Sequence, residues 1–202
     1  MNVEKTNISA EDMSALMKRM GGEAGLQRFL RGELTLVEAE RRDFPIWKTL
    51  RLGAHKTAAE YSKALKAGAN RSGDWVLNYL GQPAFQCAKE ETDLDLTVVS
   101  VGDLGFGKGA LYSQVVERAL ALGLELCPAE VGPALRLAYG DQPRGERLII
   151  ATKPSAESGA DLDLFVMEVS GGGGLWLRGD CGPSDRYWEP DRRFVFVRPR
   201  RA

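Results

Sequence analysis

Apolar residues recur at helical spacing through the first part of this chain, and after its middle the pattern gives way to short β-rich runs. Met13, Leu16, Met17 and Met20 fall at i, i+3, i+4 and i+7, one face of an α-helix. Ser9 is placed to cap it, Asp12 completes a box-like pair, and Gly21 with Gly22 ends it. A second short helix over 23–30 completes a helical arm, residues 1–40, whose methionine stripe is expected to be packed. The remainder, 44–202, is expected to be one domain.

The pattern next predicts a strand at 45–53 ("PIWKTLRLG"). A helix follows from the Thr57–Glu60 capping box, burying Ala58, Tyr61, Ala64 and Leu65 up to Gly68. Ser72 is expected to cap a further helix with Trp75, Val76, Tyr79 and Leu80 as its stripe, stopped by Gly81 and Pro83. Two helices and a short turn invite a helix-turn-helix assignment. "DWVLNYL" offers only Asn78 to a base edge and no cation to a phosphate, so a plain helical hairpin is expected.

A strand at 94–101, a glycine-rich turn and a helix at 110–122 come next. Tyr112, Val115, Val116, Ala119 and Leu120 give that helix its apolar face, and Gly123 ends it. Pro133 presets a short helix or a buried irregular turn. The chain then changes character. "RLIIAT", "LDLFVMEV", "LWLRG" and "FVFVR" are short β-rich runs separated by turns, one of them the glycines at 171–174. Connections this short exclude the crossovers that parallel strands need, so three or more antiparallel strands are predicted between 147 and 198. The fold class is α+β: a helical N-terminal arm and a helical hairpin packed with a mainly antiparallel sheet and a C-terminal β-meander.

Composition narrows the setting. With 44% hydrophobic and 27% charged residues in 202, a substantial core is expected. No apolar run approaches the ~18 residues of a membrane span. "MNVEKTNISAEDM" lacks the features of a signal peptide. Cys87, Cys127 and Cys181 are odd in number and widely spaced, so neither a disulfide framework nor a zinc site is suggested, and a cytoplasmic location is expected.

Net charge is −1, yet the charges are segregated. Residues 41–75 hold eight Lys or Arg against three acids, and 186–202 six against two, whereas 76–185 hold eight against sixteen. Such segregation marks a basic face, or it disappears if basic and acidic segments pack side by side. On the first alternative, Lys48, Arg51, Lys56, Lys108, Arg192, Arg193 and Arg198 are the candidates for a nucleic acid or another anion. The tail interleaves Trp188, Phe194 and Phe196 with arginines, as single-strand binders do, or as a final strand with aromatics inward does.

Three further arrangements bear on chemistry. Gly102, Gly107 and Lys108 spell G-x-x-x-x-G-K, but Gly109 stands where a P-loop has its magnesium-binding hydroxyl, so no nucleoside triphosphate is expected. "TDLDLTVV" and "ADLDLFVM" each place two aspartates on one strand face. They make a metal site only if the two strands are neighbours, and the simpler expectation is leucines inward and aspartates in water. Cys127 needs a base to act as a nucleophile. His55, the one histidine, is expected in a solvated loop, and Cys127 is expected to be a buried structural thiol. No catalytic residue, metal or cofactor is assigned.

The blocks "MGGEAGLQRFLRGEL", "KALKAGANRSGDWVLNYLGQPAF", "LGLELCPAEVGPALRLAYGDQPRGERLIIA" and "WEPDRRFVFV" resemble an uncharacterised family of small bacterial proteins. The resemblance spans most of the chain and implies a bacterial origin and one compact unit. It brings no activity, cofactor or catalytic residue, and the G-x-x-x-x-G-K pattern is not kept in that family. The leading expectation is a non-enzymatic cytoplasmic binding or accessory protein that engages a protein partner. The alternative is a nucleic-acid-binding accessory protein using 41–75 and 186–202, and the third a nucleotide or phosphate-ester enzyme.

Overall fold

The computed structural model describes residues 9–34, 42–67, 70–83, 85–153, 161–183 and 187–200. The chain divides into two units, 1–39 and 40–202. The first contains α1 (Ala10–Arg19) and α2 (Gly22–Leu30). The break between them falls where expected, because Gly21 and Gly22 adopt φ of 88° and 75°, values that favour glycine. The stripe is not fully packed as predicted: Met13 and Leu16 are exposed. The side chain of Asp12 lies outside the described residues.

In the second unit the described residues form four helices and nine strands. In chain order these are β1 (Lys48–Leu52), α3 (Ala58–Ala67), β2 (Asn70–Ser72), α4 (Asp74–Leu80), β3 (Thr92–Ser100), β4 (Ala110–Leu111) and α5 (Tyr112–Ala121). They continue with α6 (Val131–Ala138), β5 (Arg147–Ile150), β6 (Asp161–Val169), β7 (Leu175–Pro183), β8 (Tyr187–Trp188) and β9 (Arg193–Val197). Seven strands make one sheet in the order β1-β3-β9-β5-β6-β7-β2, and β4 pairs with β8 beside it. The class is α+β. No described helix is long and apolar enough to cross a membrane.

The capping box at the start of α3 is present. The Glu60 amide donates to Thr57 Oγ1 at 3.2 Å, and the return bond runs from the Lys56 amide to Glu60 Oε2 at 2.8 Å. Helix α5 ends at Gly123 as expected: the amides of Gly123 and Leu124 donate to the carbonyls of Leu120 and Ala119, with Gly123 at φ 91°.

Two expectations are corrected. Ser72 does not cap α4. It ends the short strand β2, which pairs in parallel with β7, and Gly73 takes the cap position, so α3 and α4 are not a plain hairpin. The late strands are also not one continuous meander. β5, β6 and β7 run antiparallel, but β9 returns across the sheet to lie parallel to β5 and antiparallel to β3. The short strand β8 and the turn at 189–192 lie on that return path, which local turn chemistry does not reveal.

The return puts β9 inside the sheet between β3 and β5, where side-chain alternation separates two cores. Val195 and Val197 join Leu148, Ile150, Phe165, Met167 and Leu177 against α3, α4 and α6. Phe194 and Phe196 join Ile149, Leu164 and Val166 against Tyr112, Val115 and Ala119 of α5 and against Trp188. Both faces are thus covered, which is why "FVFV" and "LII" are continuous apolar runs rather than alternating ones.

A buried acid ties the first core to the loops around it. Glu130, 1% exposed, immediately precedes α6. Its Oε1 accepts from the Gly53 amide at 2.9 Å and from the Tyr61 hydroxyl at 2.7 Å, and its Oε2 accepts from the Ala88 amide at 2.7 Å. Replacement by glutamine would turn an NH2 group toward one of three donors. Glu130→Gln is therefore expected to cost about 2–4 kcal/mol in urea unfolding, a lost charge-assisted bond plus an unsatisfied donor. A cost below about 0.5 kcal/mol would show that the carboxylate does not brace the fold.

Candidate functional site

The segregated charges of the sequence meet one another in the sheet. β3, carrying Asp93 and Asp95, lies between β1 and β9, so acids of the middle segment stand between the two basic ones. Arg51 grips Asp93 at 2.8 and 3.2 Å and lies 3.6 Å from Glu91. Arg193 pairs with Glu146 at 3.0 Å and Arg198 with Asp43 at 2.9 Å. Arg192 pairs with Glu189, and Arg200 holds Asp95 at 2.9 and 3.2 Å. Lys48 rests over the Tyr139 ring, 4.3 Å from its centroid, and Lys56 Nζ donates to the Lys89 carbonyl at 3.1 Å. Lys108 is exposed on its loop. Trp188, Phe194 and Phe196 are buried, so the tail has its aromatics inward.

The glycine loop is folded upon itself. Amides of Gly102, Leu104, Gly105, Phe106 and Gly109 donate to Pro190, Ser100, Gly102, Val101 and Phe106 carbonyls. The Asp103 amide donates to Ser100 Oγ. A P-loop instead leaves such amides open to phosphate. Gly109 has a packing reason to lack a hydroxyl. Its φ is 95°, and a Cβ there would stand 2.6 Å from the Trp188 carbonyl oxygen.

The aspartate pairs do not meet, because β9 and β5 separate β3 from β6. The side chains of Asp161 and Asp163 lie outside the described residues. Asp93 and Asp95 are occupied by Arg51, Arg200 and Thr49 rather than left in water. Among the described residues no group of His, Cys, Asp and Glu is arranged to hold a metal.

Cys127 is buried, its thiol donates to the Val195 carbonyl at 3.4 Å, and burial pushes its pKa up. This matches a structural thiol. His55 is not a freely solvated loop residue: it is half-buried, edge-on to the Tyr61 ring at 4.7 Å. Burial, and then the hydrogen bond to Glu130, push the Tyr61 phenol up. Arg136, fully buried, braces the end of α6 by donating to the Tyr139 carbonyl and, at 2.5 Å, to Gln142 Oε1. Burial brings its pKa down to about 10.

The arrangement that the sequence did not disclose lies along β1. This strand ends the sheet, and no described residue pairs with its outer edge. Beside it, against α6 and α3, is a cavity of about 310 Å³ lined by Leu50, His55, Tyr61, Ala134, Leu137 and Ala138. Charged side chains commonly guard such an edge. Here Lys48 is drawn onto Tyr139 and Arg51 onto Asp93, while Ile46, just before the strand, is 49% exposed. The alternation in "KTLRL" is visible in sequence, but its position at a sheet end is set by strand order alone. A second cavity of about 300 Å³ lies between α5 and the glycine loop, lined by Phe106, Gln114, Glu117, Arg118 and Ala121.

No protein-family model, curated protein or solved structure matches this chain.

Gly109→Ser, which would complete the nucleotide-binding motif, is expected to lower stability by about 2–4 kcal/mol through strain at positive φ and collision with backbone. Millimolar ATP with Mg²⁺ is expected to leave the melting temperature of both proteins unchanged. A nucleotide-dependent rise that Lys108→Ala abolishes would reinstate the P-loop.

The acid side of the stability profile follows from the paired aspartates. Hydrogen bonds hold three carboxyls below their ordinary value of 3.8: from Arg51 on Asp93, from Arg200 and then Thr49 on Asp95, and from the Ser100 hydroxyl on Asp103. Each binds its proton less readily when folded than when unfolded. Their stabilisation is complete above 3.8 and drains as pH falls through the depressed values. The melting temperature should drop from about pH 5 to about pH 2, and Asp95→Asn should make that drop shallower. An unchanged slope in the variant contradicts the assignment.

Proposed function

We propose that this chain is a non-enzymatic binding protein that takes up an extended segment of a protein partner as an added strand on the outer edge of β1. The observation that carries this is the coincidence of a strand edge that no described residue pairs with and a cavity between that strand and a helix. In strand addition, main-chain hydrogen bonds supply affinity and pockets for alternate side chains supply selectivity. At about 310 Å³, the cavity sits at the small end of ligand sites and suits side chains of a peptide more than a large cofactor. A protein partner is favoured over a nucleic acid because six of the seven candidate cations, Lys108 excepted, are engaged by acids, rings or a carbonyl.

The test uses linear peptides selected against the intact protein from a display library. Binding should protect amides of β1 from hydrogen exchange. Leu137→Arg, which crowds the cavity from a half-exposed position, should weaken binding at least about tenfold with little change in melting temperature. Selected peptides that protect other segments, or that bind the variant equally well, would contradict the proposal. Retention on heparin at physiological salt, lost when Arg192, Arg193 and Arg198 are neutralised, would return the nucleic-acid alternative.

A further inference from the structure

The unit 1–39 holds two short helices that bury almost nothing of their own. Among its described residues Gly25 alone is buried. A Cβ on Gly25 would collide with the Met20 carbonyl, so the end of α1 lies directly on α2. The amides of Arg31 and Glu33 donate to the Gln27 and Arg28 carbonyls around Gly32 at φ 75°, which closes α2. The large apolar side chains are left uncovered. Met13, Leu16 and Leu30 are 47%, 38% and 67% exposed, and Met17, Met20, Leu26 and Phe29 are half-buried. Helices of ten and nine residues fall short of the ~12–15 at which isolated helices become marginal, so their stability has to come from packing of the apolar face. Residues 1–39 contain neither cysteine nor histidine, so no disulfide or imidazole-bound metal braces them from within.

Charge indicates what packs there. Residues 1–39 carry six acids against five Lys and Arg, a balance that attracts neither nucleic acid nor an anionic membrane. Along α2 the two signs separate: Glu23 lies in the first turn, Arg28 in the last, and Arg31 follows at the cap. Arg28 and Arg31 share one acid, Glu33, at 3.5 and 2.6 Å, so that end keeps a positive excess. Glu23 has no ion pair among the described residues. Glu23, Leu26, Gln27 and Leu30 stand at i, i+3, i+4 and i+7, one stripe of α2, with Arg31 at its far end. Turned onto itself by a two-fold axis, the stripe brings leucines together and sets each Glu23 near an Arg31. Such self-complementarity is what an isologous dimer requires.

We propose that residues 10–31 form a self-association surface. The helices α1 and α2 of one molecule pack antiparallel on those of a second copy around Met13, Leu16, Leu26 and Leu30, and Glu23 of each lies beside Arg31 of the other. Methionines suit such a contact, because unbranched side chains fill irregular gaps. The Arg31–Glu33 pair is exposed, so exchanging it for an intermolecular pair costs little. The surface uses no part of β1 and stands independently of strand addition there.

The test is sedimentation equilibrium of the intact chain from micromolar to submillimolar concentration, where a monomer–dimer equilibrium is expected. Leu16→Glu and Leu30→Glu should each weaken it at least about tenfold. Glu23→Arg and Arg31→Glu should each weaken it about threefold or more, and the double variant should recover most of that loss, because the pair returns with its signs exchanged. That recovery separates pairing across the axis from damage to the helices. A monomer at every concentration, as from helices covered within the same chain or by a different protein, would overturn the proposal. So would a dimer that both leucine variants leave intact, or a double charge variant no better than the single ones.

Discussion

The carboxylate of Glu130 is the point on which the helical side of the large domain depends. Two of its three donors are the backbone amides of Gly53 and Ala88, and the third is the Tyr61 hydroxyl. Neither amide lies in a strand or helix, and a buried amide without an acceptor costs free energy comparable to a lost hydrogen bond. The carboxylate supplies the missing acceptor with charge-assisted bonds. One side chain therefore fixes the exit of β1, the face of α3 and the approach to β3 relative to the start of α6. Gly53 can enter this arrangement because it holds φ 76°, where a Cβ would lie 2.5 Å from the Glu90 carbonyl. The walls of the β1 groove are the same elements, so the brace of the core also sets the shape of the proposed peptide site.

Electrostatics follows from strand order. With β3 between β1 and β9, each basic strand lies beside acids. Exposed pairs of this kind contribute little stability individually. Their larger effect is on recognition: Arg51, Arg193 and Arg198 carry neutralising partners, whereas Arg71, from the same basic stretch as Arg51, and Arg144 carry none among the described residues. Charge counted along the chain and charge available in space thus single out different arginines.

Much of the fold was legible in residues. Helical spacing located α3, α4 and α5, the Thr57–Glu60 box and Gly123 marked helix ends, and short β-rich runs between turns located β5, β6, β7 and β9. What escaped was non-local. The direction of β9 depends on where it docks, and β2 has three residues whose pairing with β7 leaves no local pattern. Glu130 sits inside the stretch "LELCPAEVGPALRL". Nothing local marks it, because a buried acid is recognisable only from its donors.

The glycines show how packing and binding requirements separate once coordinates replace sequence. Gly109 lies at φ 95° with a carbonyl oxygen 2.6 Å from where its Cβ would be, so the fold itself excludes a side chain. That accounts for its departure from the phosphate-binding motif without any ligand. Gly174 has no positive φ, and the nearest atoms a methyl would meet all belong to side chains, those of Ser170, Trp176 and Arg71. Backbone geometry does not demand glycine there. At 3.2 to 3.5 Å those side chains already close around the turn, so a methyl there would need its neighbours to give way. The loop that resembles a phosphate loop engages the amides of Gly102, Leu104, Gly105, Phe106 and Gly109 with carbonyls, and the turn at 170–174 likewise engages the amides of Gly173 and Gly174 with Ser170.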